Sequence, residues 1–216
     1  AMQHPGWTRR LLSPREAADL VRRLVEEHSD ERFVVGVAGP GEPLANAETF
    51  EALRLVLQEF PRLTKCVSSN GLLLAERLPA LLEVGVKALT VTVNAMDAAV
   101  GERVYAWVRE GNVTHRGREA AEVLIAAQAR GIRAALEAGL ALKVNTVLVP
   151  GVNDQHVVEV ARRLRELGVP LMNLMPLIPG GRMRDLRAPT CEELRRARLA
   201  CEQAVQQFRA CEQCRA

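Results

Sequence analysis

The stretch "KALTVTVNA", residues 87–95, decides the fold. Side chains alternate along a strand, so Leu89, Val91 and Val93 share one face while Thr90, Thr92 and Asn94 share the other. An open parallel sheet sandwiched between helices needs apolar residues on both faces of its central strands, and this strand has one apolar and one polar face. The split recurs in "LALKVNTVLVP", residues 140–150, where Leu142, Val144, Thr146 and Leu148 oppose Lys143, Asn145 and Val147. In "PLMNLMPLIP", residues 170–179, Asn173 falls on one face between Leu171 and Met175. Helices outside and a polar lumen inside fit these faces better than a doubly wound sheet does. Ordinary barrel interiors are filled with branched apolar residues, so a polar lumen points to a hydrophilic ligand.

Working outward, helical and extended segments alternate. "SPREAADLVRRLVEEH" (13–28) reads as a helix with Ser13 as cap, Pro14 at its first position and Glu16 closing a capping box. "RFVVGVAG" (32–39) is a short apolar run ended by glycine, as a buried strand would be. A helix over 47–60, an extended "TKCVSSNG" (64–71) and a helix over 72–85 precede the deciding strand. After it come a long helix or pair of helices over 117–139 and a helix over 154–168. Thr190 and Glu193 start a last capped helix, expected to run to about Phe208 and to deliver the terminal "ACEQCRA" (210–216). Such alternation implies parallel βαβ units. The expected architecture is therefore α/β, a partial TIM-like barrel with five parallel strands and helices outside, in one domain spanning 1–216 with a tail from about 209.

Composition narrows the function classes. The 216 residues carry 29 Lys and Arg against 26 Asp and Glu, a formal net charge of +3 scattered in both signs, which argues against a nucleic-acid stripe or a polybasic membrane anchor. No apolar run reaches the roughly 18–20 residues of a membrane span, and the start lacks the apolar core of a signal peptide. The five cysteines (Cys66, Cys191, Cys201, Cys211, Cys214) do not resemble a secreted disulfide framework, so a cytoplasmic protein is expected.

Chemistry concentrates after the first visible strand. In "VAGPGEPLAN" (37–46), Gly39 and Gly41 permit a tight turn that presents N–H groups, and Glu42 places a carboxylate where α/β folds bind ligands. The stretch lacks the spacing and the Lys of a P-loop, and an ordinary Pro/Gly turn with an exposed Glu carries comparable weight. "CVSSNG" (66–71), Asn94 and Asn145 also lie at or near strand C-terminal ends and are expected to converge on the same mouth. Cys211 and Cys214 supply two ligands where zinc or an iron–sulfur cluster wants about four. Cys66, expected near the mouth, is either a cluster ligand or a small buried thiol; Cys191 and Cys201 read as packing residues. A thioredoxin-like dithiol fits poorly, because the terminal pair follows a helix rather than opening one.

Taken together, "HPGW…LLSPREAA", "AGPGEPLAN", "CVSSNGLLL", "VTVNAMDAAVGERVYAWV", "LKVNTVLVPGVND", "NLMPLIP" and "CEQCRA" resemble, in order and over nearly the whole chain, the radical S-adenosylmethionine (SAM) enzymes of nitrogenase cofactor biosynthesis. The resemblance implies a (βα)6 radical SAM barrel whose GGEP-like stretch, Gly39, Gly41 and Glu42, grips the methionyl amine of SAM. It implies Ser69, Asn94 and Asn145 as methionyl and ribose contacts and Met175 as adenine packing. Cys66 would ligate one accessory 4Fe-4S cluster, and Cys211 with Cys214 a second. The implied reaction fuses two 4Fe-4S clusters around a SAM-derived carbide, with a cluster donor and a nitrogenase cofactor carrier or scaffold as partner proteins. The family's three-cysteine CxxxCxxC motif, on the loop after the first barrel strand, is absent from this sequence. The first strand is accordingly expected to be missing, and the chain as it stands to be unable to reduce SAM. A cluster-carrying scaffold without SAM cleavage is the alternative, and an unrelated TIM-like barrel a weaker third.

Overall fold

The computed structural model describes residues 10–28, 34–39 and 41–209. Helix α1 (Pro14–Glu27) leads through β1 (Val34–Val37) to α2 (Ala47–Glu59), followed by β2 (Thr64–Ser69), α3 (Leu74–Glu83) and β3 (Val86–Thr92). Then come α4 (Ala98–Val104), the short strands β4 (Trp107–Glu110) and β5 (Val113–Arg116), and the single helix α5 (Gly117–Glu137). The chain finishes with β6 (Ala141–Leu148), α6 (Val157–Glu166), β7 (Leu171–Pro176), α7 (Cys191–Glu202) and β8 (Gln206–Gln207).

Local chemistry sets the helix starts as the sequence predicts. The Ser13 hydroxyl accepts from the Glu16 N–H while the Glu16 carboxylate accepts from the Ser13 N–H, and Thr190 and Glu193 repeat the arrangement on α7. The six-stranded sheet runs β1-β2-β3-β6-β7-β8 with every pairing parallel, so spatial order follows chain order as in a partial TIM-like barrel. Its outer face is the core: Val67, Leu89, Val91, Leu142, Val144, Met172 and Leu174 pack in one cluster with side chains of α3, α5 and α6. The α3–α5 crossing is close at Gly131, where a Cβ would lie 2.7 Å from that of Leu74.

The inner face follows from the register, because paired residues of parallel strands share a face. Gly36, Cys66, Ala88 and Ala141 form the lowest row. Ser68, Thr90, Lys143 and Leu171 form the next, and Thr92, Asn145 and Asn173 the one above. The polar lumen read from residues 87–95 is thus present.

Two expectations need correction, and one element is new. The last helix stops at Glu202 instead of reaching Phe208; the chain turns and adds Gln206 and Gln207 to β7, which satisfies backbone groups that a bare edge would expose. The parallel strands among the described residues therefore number six rather than five. Residues 107–116 form an antiparallel hairpin across the two-residue turn Gly111–Asn112, with Gly111 at φ +58°, before α5 begins.

Candidate active site

The loop after β1, the carboxyl ends of β2 and β3, the start of α3 and the hairpin surround a cavity of about 710 Å³ whose lining includes Glu42, Asn70, Thr92, Asn94, Tyr105 and Gln128. The loop after β1 sets the position of its acid. A Cβ at Gly39 would lie 2.5 Å from the Gly41 nitrogen, and Gly41 sits at φ +136°, so this turn has room for no side chain at Gly39 and strains any at Gly41. Glu42 then caps the short turn Pro43–Ala45, its Oε1 accepting from the Leu44 N–H at 3.1 Å. The Ser69 hydroxyl donates to the same oxygen at 2.7 Å, and the Asn70 N–H donates to Oε2 at 2.7 Å. Two bonds fill Oε1 and one leaves Oε2 a lone pair, so the anion is held rigidly and can still accept from an ammonium group.

The neighbouring strand ends are tied together by amides. The Gln128 side chain, fully buried on α5, donates from Nε2 to the carbonyls of Asn70 (2.7 Å) and Thr92 (2.9 Å). Asn94 accepts at Oδ1 from the Val147 N–H at 2.9 Å, and its own N–H donates to the Tyr105 hydroxyl at 2.9 Å. Asn153, also fully buried, donates from Nδ2 to the carbonyls of Asn94 and Val147 and accepts at Oδ1 from the Val149 N–H. Burial pushes the Tyr105 phenol up, against the opposing effect of the N–H groups of Asn94 and Ala95 and the Gln128 amide around its oxygen. One row down, Asn173 donates to Asn145 Oδ1 at 3.2 Å while its own Oδ1 is buried without a partner.

The residues singled out from sequence divide between two ends of the lumen. Gly39, Gly41, Glu42, Ser69 and Asn94 meet at the mouth, with Asn145 one row below and Met175 paired with Val147 near the end of β7. The Ser69 hydroxyl lies under Glu42 and serves that carboxylate. Cys66 is not at the mouth. It is the third residue of β2, roughly 10 Å along the strand from Ser69, and lines the opening at the opposite, N-terminal ends of the strands. Cys211 and Cys214 lie outside the described residues. Cys201 is a packing residue whose thiol burial pushes up to about 11, whereas Cys191 is exposed at the start of α7. Gln128, Asn153, Tyr105 and Asn173 are additions that sequence reasoning missed; of these Asn173 carried a signal, as an amide on an inward face.

The Radical SAM superfamily model matches residues 2–164. FeMo cofactor biosynthesis protein NifB of Methanocaldococcus infernus is 43% identical over 212 residues, covering 98% of this chain and 70% of that protein. The chain belongs to the NifB family of radical SAM proteins. NifB of Klebsiella pneumoniae is 41% identical over 98% of this chain, which spans only 47% of that longer protein. Among solved structures, a radical SAM methyltransferase from Sphaerobacter thermophilus superposes with a TM-score of 0.64 at 24% identity, over 93% of this chain and 58% of that one, a likeness of fold.

The residues present fit one family cofactor and not the other. A fixed carboxylate with a spare lone pair, on a turn where a Cβ would clash, suits the ammonium end of SAM. The described residues contain no group of three His, Cys, Asp or Glu side chains able to hold a metal, so they do not supply the site of a radical SAM reducing cluster.

Proposed function

We propose that this chain is the SAM-binding barrel of an enzyme of FeMo cofactor biosynthesis, in which two 4Fe-4S clusters are fused around a SAM-derived carbide to give an 8Fe-9S-C precursor. The observation that carries the SAM part is the Glu42 carboxylate, fixed by Leu44, Ser69 and Asn70 at the mouth of a polar lumen. Gly39 and Gly41 bring the backbone close, Glu42 accepts from the methionyl ammonium, and Ser69 keeps the carboxylate oriented. Asn94 and Asn145 meet the ribose and methionyl polar groups, and Met175 offers a polarizable surface to the adenine. When bound, SAM supplies a methyl group or, on reduction, a 5′-deoxyadenosyl radical; the chain's part is to orient it and exclude water.

The clusters are substrates in this reading. Cys66 ligates one at the N-terminal end of the lumen, and Cys211 with Cys214 hold the other; a cluster donor and a nitrogenase cofactor carrier complete the partners. The described chain continues through Phe208 and Arg209, which line the same opening as Cys66. A cluster on Cys66 near one opening and SAM at the other end make the lumen the route between them. The sequence carries no CxxxCxxC motif, so SAM cleavage awaits a reducing cluster held by other residues.

Calorimetric titration with SAM tests the central contact. Glu42→Gln keeps shape and removes the charge, and should weaken binding by about 100-fold, in line with the loss of a hydrogen-bonded ion pair. Equal affinity for the two proteins would remove Glu42 from the SAM site.

A further inference from the structure

The inward row of Thr92, Asn145 and Asn173 lies just below the mouth, and Thr92 also lines the mouth cavity. Asn145 and Asn173 are joined by one hydrogen bond, in which Asn173 Nδ2 donates to Asn145 Oδ1 at 3.2 Å. The two amides differ in their surroundings. Asn173 is fully buried and its Oδ1 has no partner, whereas Asn145 is only partly buried and its Nδ2 has no acceptor among the described residues.

A buried amide with half of its bonding capacity unmet costs the fold stability, because a leucine of similar volume would fill the same space without an unpaired oxygen. Packing therefore does not account for Asn173. What its amide adds is the orientation of a neighbour. With Oδ1 committed to Asn173, Asn145 turns its Nδ2 hydrogens to the lumen, so the group it meets there has to accept a hydrogen bond.

Position narrows that group further. Ser69 and Asn70 fix the Glu42 carboxylate over the end of β2, and Asn145 stands on β6, two strands along the sheet and about 10 Å away. In SAM the methionyl carboxylate shares a carbon with the ammonium and stays beside Glu42. The ribose hydroxyls lie beyond the methionyl chain, at the distance that reaches β6.

We infer that Asn173 is a positioning residue for SAM recognition, holding the Asn145 amide so that its Nδ2 donates to a ribose hydroxyl oxygen. The inference rests on the reading that this lumen binds SAM with its ammonium on Glu42. Asn173 itself touches no ligand; it acts through Asn145.

The test is calorimetric titration with SAM of the unchanged protein, Asn173→Leu, Asn173→Ala, Asn145→Ala and Asn173→Leu combined with Asn145→Ala. The two Asn173 variants differ in volume and share the loss of the amide, so each should weaken SAM binding by about tenfold, the worth of one oriented hydrogen bond. In the Asn145→Ala background, Asn173→Leu should change affinity by less than about twofold, because no amide is left to orient. The same loss should vanish when the titrant is a SAM analogue lacking both ribose hydroxyls, and the melting temperature of Asn173→Leu should not fall. A merely structural asparagine would lower the melting temperature and weaken binding whether or not position 145 carries an amide. Equal affinity in the unchanged protein and both Asn173 variants overturns the inference, as does a tenfold loss that persists in the Asn145→Ala background or with the analogue; in each case Glu42→Gln still weakens binding. Equal SAM affinity for Glu42→Gln and the unchanged protein overturns the reading of the lumen, and this inference with it.

Discussion

At the carboxyl ends of the strands, Glu42, Gln128, Asn94 and Asn153 are tied into the backbone by hydrogen bonds of 2.7–3.1 Å; at the amino ends, the small residues Gly36, Ala88 and Ala141 share the row of Cys66 beside a second cavity. One end of the lumen has its polar groups oriented before any ligand arrives, which suits a small flexible molecule whose ordering cost must be kept low. The other is a chamber of about 680 Å³ whose described lining includes the Cys66 thiol, Lys143 and Arg209, and it is where the proposed reading puts a cluster. The same sheet serves both ends because loops and α5 supply the polar groups at the carboxyl ends, whereas the lowest inward row of the strands faces the amino end.

If the mouth is the rigid end, damage there should cost folding stability, and equivalent changes in the chamber should not. The largest effect is expected for Asn153→Ala, which strands the Val149 N–H and the carbonyls of Asn94 and Val147 in a buried site. About 3–4 kcal/mol should be lost in urea unfolding, from three hydrogen bonds at about 1 kcal/mol each plus desolvated partners. Gln128→Ala removes the clamp between the ends of β2 and β3 and should cost about 2 kcal/mol by the same measurement. Ala88→Val in the chamber should change stability by less than about 1 kcal/mol, because its methyl groups enter open space, yet it should lower the iron retained after reconstitution. A chamber substitution as costly as Asn153→Ala would erase the contrast.

The smallest effect lies outside both ends. Arg187 and the Thr190 N–H hold the Glu193 carboxyl at about 2, below its ordinary 4.5, at the start of α7. A carboxyl whose pKa falls on folding contributes stability that is full above about 4.5 and disappears as pH drops through about 2. Because the pair is exposed, salt should mute the effect; helicity followed by circular dichroism through this window should fall only slightly, and less so in 1 M salt. Glu193→Gln should flatten it.

Much of this was legible in the chain because it depends on local rules. Period-two alternation in residues 87–95 and 140–150 gave the inward rows, capping boxes gave Ser13 and Thr190, and the glycines around Glu42 marked the loop. What escaped depends on distant partners. Asn153 reads as a turn residue in "PGVND", and only the approach of β3 to the β6–α6 connection makes it a latch. Gln128 looks like one polar residue in a long helix, since its acceptors are 58 and 36 residues away. Cys66 was expected at the wrong end because its strand runs on to Ser69, and three residues of a short strand span roughly 10 Å, enough to carry a side chain from one end of the lumen to the other. The hairpin left a readable trace in the Gly111–Asn112 pair flanked by Val108 and Val113, whereas β8, two residues long, left none.

The two-ended account is tested most directly by measuring SAM affinity and reconstituted cluster content on the same two variants. Glu42→Gln should lose about 100-fold in SAM affinity and keep its iron. Cys66→Ser should lose the chamber cluster and bind SAM as before. A Glu42→Gln protein that binds SAM normally, or a Cys66→Ser protein that loses SAM together with its cluster, would contradict the separation of the two sites.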